Sequence, residues 1–367
     1  MERKMKVAFL WNIFSGYYNA CLKELAGRDG TELFVCHEAF TDSSPFDERQ
    51  FSWIKTRIAW RNGDDLSNLQ GQLEEFQPDI LIFASWNKPV YRAVAKSLAG
   101  KAFRIMGMDN CWRGTLKQRF GTWIAPFYVR PLADAVWLPG ERQAVFAEKL
   151  GFATEVIMRG SLSCDQRPIA EAYLQRVKEG SSLPHSFLYV GRFAPEKGLD
   201  TLVKAYEIYR KGNSNPWPLL CCGAGPMRAI LEGREGVRVE EFVQPEHMPA
   251  KLISAGCFIL SSDFEQWSIV VHEATSAGLP VIASEQVGAA VHLVQPNYNG
   301  FIFGSGDAES LASLMLRISN MSDARLDAMS RASFQMSQQY SPSRWVDTLF
   351  DSYSALWKNA AKGIAPR

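Results

Sequence analysis

Two glutamates, Glu265 and Glu273, stand eight residues apart in Glu265-Gln266-Trp267-Ser268-Ile269-Val270-Val271-His272-Glu273. The second leads into Ala274-Thr275-Ser276-Ala277-Gly278-Leu279-Pro280-Val281-Ile282-Ala283-Ser284. That tail reads as a helix stopped at Gly278 and followed by a buried strand, because Gly ends helices and Pro cannot continue them. Glu273 then lies inside the helix and Glu265 in the loop before it. A carboxylate beside a helix start accepts hydrogen bonds from hydroxyls, and the free backbone N–H groups there attract anions. Two hydroxyl acceptors flanking an anion site suit a ligand that carries both sugar and phosphate. A bare pair at this spacing is more often two surface glutamates, and the context sets this one apart.

Two other segments supply that context. Gly191-Arg192-Phe193-Ala194-Pro195-Glu196-Lys197-Gly198 follows the strand-like run Phe187–Val190. Gly191 lets the backbone turn, Arg192 offers a planar fork to phosphate oxygens and Lys197 adds a second cation. Two fixed cations at a strand end can hold a diphosphate and stabilise it as a leaving group. The plainer alternative is a solvated loop with a local Arg192–Glu196 pair. Cys222-Gly223-Ala224-Gly225-Pro226 also follows a strand, and Pro226 predicts the first position of a helix over 226–232. Gly223 and Gly225 permit close approach of backbone to ligand, or simply a tight turn.

These segments need a scaffold. A chain of 367 residues is long enough for two domains, each with its own core. Forty basic and 39 acidic residues nearly cancel, which argues against a nucleic-acid-binding field. Seven Cys without CxxC or Cys/His spacing favour a reducing compartment over a metal site, and Cys221-Cys222 read as packing residues. No apolar run approaches the ~20 residues of a membrane span. Val7–Trp11 behind Arg3, Lys4 and Lys6 faintly imitates a secretory signal but fits a first buried strand better, so a cytoplasmic protein is expected.

Short apolar runs alternate with amphipathic stretches along the whole chain. Strands are expected at Lys6–Trp11, Glu32–His37, Asp79–Ala84, Phe103–Met108 and Ala135–Leu138. Helices are expected at Tyr17–Ala26, Pro89–Leu98, Thr115–Val129 and Glu141–Leu150. After a polar, helical stretch from Pro168 to Pro184 the pattern restarts at Phe187–Val190. It then runs through strands at Leu219–Cys222, Val237–Phe242, Cys257–Leu260 and Pro280–Ala283. This is α/β organisation: two doubly wound, Rossmann-like domains facing a cleft, with every motif above at a strand's carboxyl end. The expected domains are 1–165 and 166–342, with the terminal helix, about 343–367, returning to the first.

As a set, the quoted segments resemble the strand-GR-x-x-x-EKG, GxGP, E-x7-E and AxGxPVIAS motifs of the group 1, or family 4, retaining glycosyltransferases of GT-B fold. The likeness covers roughly Phe187 to Ile318, and Asn299-Gly300-Phe301-Ile302-Phe303 fits the family's later turn and strand. It implies a nucleotide-diphosphate sugar as donor, no metal and no other cofactor. Arg192 and Lys197 would bind the diphosphate, Glu273 the ribose hydroxyls and Glu265 the donor sugar. The N–H groups of Trp267, Ser268 and Ile269 would face phosphate or sugar. Gly191, Gly223 and Gly225 would let the nucleotide lie close, with its base near Phe242 and Val243. Gly16, in the loop after the first strand, would approach the donor from the first domain.

The chain departs from the family at several points. Gln266-Trp267-Ser268 replaces Gly-Phe-Gly; Ser268 can still cap the helix, while the bulk of Trp267 could reshape the sugar pocket. His292 stands near a position where Glu is usual, either as a changed donor contact or as a surface residue. Asp109 occupies the strand end where many relatives have His, and is a contact for donor or acceptor or else a loop residue. Asp64-Asp65 reads as a turn, not a metal motif.

Seven of the eleven Trp residues lie in the first 140 positions, where aromatic faces either stack on acceptor sugars or fill a core. Lys117, Arg119, Phe120, Trp123, Phe127, Tyr128 and Arg130 mix basic and aromatic groups on one expected helix. Such a helix packs on the protein or lies on an anionic membrane, peripheral to the inner face, admitting a lipid-linked acceptor. Trp345, Leu349, Tyr353 and Trp357 recur at helical spacing within Ser343–Ala361. The function expected is metal-independent, retaining sugar transfer to a glycan or lipid-linked acceptor in polysaccharide or glycolipid assembly. Alternatives are another GT-B enzyme, such as a sugar-nucleotide epimerase, or a non-catalytic nucleotide-sugar-binding module.

Overall fold

The computed structural model describes residues 3–13, 16–39, 48–61, 64–84 and 86–358. The chain divides into two compact units, residues 1–163 with 342–367, and residues 164–341.

In the first unit the chain runs β1 (Met5–Ile13), α1 (Gly16–Gly27), β2 (Thr31–Glu38), β3 (Thr56–Trp60), α2 (Leu69–Phe76), β4 (Ile80–Ala84), α3 (Pro89–Ser97), β5 (Phe103–Gly107), α4 (Leu116–Tyr128), β6 (Ala135–Leu138), α5 (Glu141–Lys149) and β7 (Ile157–Arg159). Its sheet is parallel, in the order β3-β2-β1-β4-β5-β6-β7. Every residue of β4 and of β5 is buried, as strands must be when helices cover both sheet faces. Sequence reading passed over β3 and α2. β3 is an edge strand in which only Trp60 is buried, so it shows no apolar run.

The second unit follows with α6 (Gln166–Lys178), β8 (Phe187–Val190), α7 (Leu199–Lys211), β9 (Leu219–Cys222), β10 (Val237–Glu240), α8 (Met248–Ile253), β11 (Cys257–Leu260), α9 (Ile269–Ser276), β12 (Val281–Ser284), α10 (Ala290–Leu293), β13 (Gly300–Phe303), α11 (Ala308–Ser319) and α12 (Asp323–Ser337). Its parallel sheet has the order β10-β9-β8-β11-β12-β13. Strand order reverses between β8 and β11, which pair through Cys257 with Phe187 and Phe258 with Leu188. The carboxyl ends of these two strands therefore form the switch point at which such sheets bind ligands. The helix expected over 226–232 is absent. Turns and a single 3₁₀ turn at Arg228–Ile230 stand there instead. Cys221 and Cys222 are buried, with burial pushing both thiols upward, the Cys222 thiol to about 11.

The last helix, α13 (Pro342–Tyr353), belongs to the first unit and packs on α1. Trp345 stacks on Trp137 at 4.5 Å between ring centroids, and its indole N–H donates to the Ser161 carbonyl at 3.0 Å. Arg28 pairs with Asp347 at 2.8 Å. A π-helical turn continues to Lys358 and brings the Trp357 ring to 5.9 Å from Phe103; residues 359–361 of the expected helix lie outside the described residues. Trp345→Phe keeps most of the buried ring but deprives the Ser161 carbonyl of its donor. We expect it to cost about 1–2 kcal/mol, seen as a fall of a few degrees in Tm; an unchanged melt would mean this helix end does not hold the unit together.

Candidate donor site

The loop after β8 is held by backbone contacts to its neighbours. Gly191 N–H donates to Cys222 O at 3.0 Å, Phe193 N–H to Ala224 O at 2.8 Å and Met227 N–H to Phe193 O at 2.9 Å. This explains the paired glycines. Gly223 and Gly225 have φ of 153° and 147°, and a Cβ on either would strike backbone, Gly191 O at 1.9 Å or Phe193 O at 2.4 Å. Here the absent side chains make room for the adjoining loop.

The following turn, Pro195–Lys197, is stitched to the loop after β11. Asp263 N–H and Phe264 N–H donate to Glu196 O at 2.9 and 3.3 Å, and the Ser261 hydroxyl donates to Lys197 O at 3.0 Å. These bonds bring the Lys197 ammonium onto the Glu265 carboxylate, with the two side chains 12% and 17% exposed. Residues 68 positions apart thus meet at the switch point between β8 and β11. Arg192 behaves differently. Its guanidinium is 72% exposed and pairs with Glu196 at 2.8 Å, the local pair that was its plainer reading. The Tyr189 hydroxyl, rooted in β8, donates to Arg192 O at 3.0 Å and fixes the backbone beneath it.

The stretch from Glu265 to Ser268 is locked from a third side. Gly288 N–H donates to Glu265 O at 3.1 Å and Ala289 N–H to Trp267 O at 2.8 Å. Ser268 occupies the N-cap position of α9, but with φ of 87° and no side-chain capping bond, so the expected cap is not made. A positive φ in a non-Gly residue is strained. Among the described residues, the N–H groups of Trp267, Ser268 and Ile269 donate to no protein acceptor. Three successive open donors at a helix start form a ready anion site. Trp267 is 3% exposed, with its ring against His292 and Tyr340 at 5.6 and 5.5 Å between centroids. Its bulk is turned into the unit, and His292, half-buried, stands in the same aromatic cluster.

Glu273 lies within α9, half-buried. Loss of hydration, and secondarily the nearby Asp165 carboxylate, push its carboxyl up to about 7. No protein hydrogen bond or ion pair engages it among the described residues. Next to it, His272 is fully buried. It accepts from Cys164 N–H at Nδ1, 3.3 Å, so that Nε2 carries the proton and donates to Ser337 O at 3.0 Å. Burial lowers this imidazole to about 4 and keeps it neutral. Sequence reading missed Asp165 and the packing role of His272, because their partners are remote in the chain.

Of the other expected residues, Phe242 follows β10 with its ring half exposed, while Val243 is buried. Gly16 is the first residue of α1 and not a loop residue; Phe14 and Ser15 before it lie outside the described residues. Asp109 follows β5 in the first unit, exposed, with its carbonyl accepting from the Gln143 amide at 3.3 Å. The carboxylates of Asp64 and Asp65 accept from Arg61 N–H and Ser67 N–H. No group of three or more metal-ligand side chains occurs among the described residues.

Two parallel Rossmann-like sheets, with the terminal helix returned to the first, define a protein of GT-B fold. Its likeness to HepE from Anabaena, solved with UDP and glucose, extends over 96% of this chain and all of that one, with a TM-score of 0.70 at 16% identity. Residues 175–335 match the family described as glycosyl transferases group 1. The chain is similar to the amylovoran biosynthesis glycosyltransferase AmsK of Erwinia amylovora, 29% identical over 161 residues, which are 41% of this chain and 39% of AmsK. The chain thus spans about two fifths of that relative's length. A longer likeness, 22% identity over 85% of this chain and 88% of the relative, links it to the lipopolysaccharide 1,6-galactosyltransferase of Escherichia coli K12.

Proposed function

We propose that the protein is a glycosyltransferase that moves a sugar, with retention, from a nucleotide-diphosphate donor to a glycan or lipid-linked acceptor in cell-surface polysaccharide or glycolipid assembly, working at the cytoplasmic side. The observation that carries this reading is the meeting of Lys197 and Glu265 at the β8–β11 switch point, beside the open N–H groups that begin α9. The group 1 match over 175–335, a solved neighbour holding UDP and glucose, and relatives named for amylovoran and lipopolysaccharide synthesis support it.

The donor diphosphate takes Lys197, Arg192 and the N–H groups of Trp267, Ser268 and Ile269. Glu265, released from Lys197, accepts from hydroxyls of the donor sugar, and Glu273 accepts from the ribose with the base toward Phe242. The anomeric carbon–oxygen bond to the diphosphate breaks as the acceptor oxygen attacks from the same face. The acceptor proton passes to the departing phosphate oxygen. Charge that develops on that oxygen is stabilised by the two cations and the helix start, which act without reorganising, so no metal is required and a chelator leaves the rate unchanged. Glu265 positions the sugar and forms no covalent bond to it.

Thermal-shift screening against a panel of nucleotide sugars tests the reading, since a ligand bound only by the folded state raises Tm. One nucleotide sugar should shift the melt, and Arg192→Ala should weaken its binding about tenfold, the worth of one exposed charge-assisted contact. If no nucleotide sugar shifts the melt at any concentration, the reading fails.

A further inference from the structure

Helix α4 carries its side chains the wrong way round for a helix of a globular protein. The residues turned inward are small or polar: Gln118, Gly121 and Thr122 are half-buried and Ala125 is buried. Those turned outward are large and apolar. Leu116 is 84% exposed, Phe120 64%, Trp123 76%, Ile124 37%, Phe127 87% and Tyr128 50%. At about 100° per residue these six fall on one arc of the helix. They are six of the thirteen large apolar side chains exposed among the described residues. A soluble surface does not gather its apolar side chains on a single helix without a partner for them.

Charge identifies the partner. Lys117 lies toward one side of the apolar arc, between Ile124 and Tyr128, and Arg119 borders it on the other. From Asn110 to Ala133 the chain has four basic residues, Arg113, Lys117, Arg119 and Arg130, and no acidic one. A second copy of the chain packed here across a two-fold axis would set these cations against each other. An anionic surface with an apolar interior satisfies both parts of the helix. Thirteen residues are too few to cross a bilayer, and no helix among the described residues is long and apolar enough to do so. Length and charge together describe a helix lying in the plane of the headgroups.

We propose that α4 is a membrane-docking helix, seating Leu116, Phe120, Trp123 and Phe127 among the acyl chains of an anionic bilayer while Lys117 and Arg119 bind lipid phosphates. This goes beyond the donor site and does not depend on it. Thr115 caps the helix by accepting from Gln118 N–H at 3.3 Å, and Arg92 lies over the Tyr128 ring at 3.5 Å, so the helix is folded before it meets lipid.

The whole protein would be sedimented with vesicles of phosphatidylcholine alone and with vesicles containing phosphatidylglycerol. Binding is expected only to the second, and to weaken as salt rises. Trp123→Ala with Phe127→Ala should reduce it more than tenfold, and Lys117→Gln with Arg119→Gln about tenfold. Each double variant should retain the wild-type melt and the wild-type thermal shift with donor, because the substituted side chains are exposed. The proposal is overturned if wild type ignores anionic vesicles, or if it binds them equally well after Trp123 and Phe127 are replaced. It is equally overturned if the protein is a dimer that Trp123→Ala with Phe127→Ala dissociates, since a second copy would then be the occupant.

Discussion

Lys197→Ala is expected to lower the rate of sugar transfer about 10²–10³-fold, the usual cost of removing one preorganised group that stabilises developing negative charge. The effect should fall on kcat more than on donor affinity, because the charge on the departing phosphate grows only as the glycosidic bond breaks. Geometry separates Lys197 from Arg192 here. Lys197 is 12% exposed and fixed by a backbone that Ser261, Asp263 and Phe264 hold in place, whereas Arg192 is 72% exposed. A cation shielded from water acts on nearby charge more strongly than one in solvent.

The same substitution leaves Glu265 without its counter-charge in a part-buried place, so a loss of stability could imitate a loss of catalysis. Lys197→Ala with Glu265→Gln separates the two. The double variant should regain the stability of wild type yet be at least as slow as Lys197→Ala. Single-turnover rates with saturating donor measure the chemical step directly. Were Lys197→Ala to keep a wild-type single-turnover rate, the leaving-group role of this ion pair would have to be abandoned.

The fold was most legible where physical chemistry is local. Runs such as Ile80–Ala84 and Phe187–Val190 are apolar at every position because helices cover both faces of the sheet, and they are strands in the structure. Thr56–Trp60 escaped notice because an edge strand with one buried residue carries no such signal. For Pro226 the turn chemistry of Gly225-Pro226 outweighed its liking for a helix start. At the site, residue types and motif order pointed to Lys197, Glu265 and Glu273. Their association with each other, with Glu196 and with Asp165 depends on strand order and loop packing, which no local pattern encodes. The same limit applies to α4: the sequence shows a basic and aromatic helix, but which face it buries is a tertiary fact.

Glu273→Gln is expected to stabilise the protein above neutral pH while weakening donor binding about tenfold to a hundredfold. The carboxyl ordinarily ionises at 4.5 and in the folded protein at about 7. Between these values the unfolded chain has released the proton and the folded protein still holds it. Stability therefore falls as pH rises through that window and stays lower above it. Discounted for partial exposure, removing the carboxyl should add about 2 kcal/mol near pH 8, or about 5 °C in Tm. His272 works in the opposite direction. Its imidazole ordinarily titrates at 6.5 and here at about 4, so on acidification the unfolded chain takes up the proton first and stability falls below 6.5. Between about 4.5 and 6.5 the neighbouring residues oppose each other and wild-type stability should be nearly flat. Glu273→Gln exposes the histidine's slope alone: its melting temperature should climb through this window and level off above it. Thermal melts across that range, with and without donor, test both halves at once. A variant that melts below wild type at every pH and still binds donor normally would show Glu273 to be a packing residue with no part in holding the ribose.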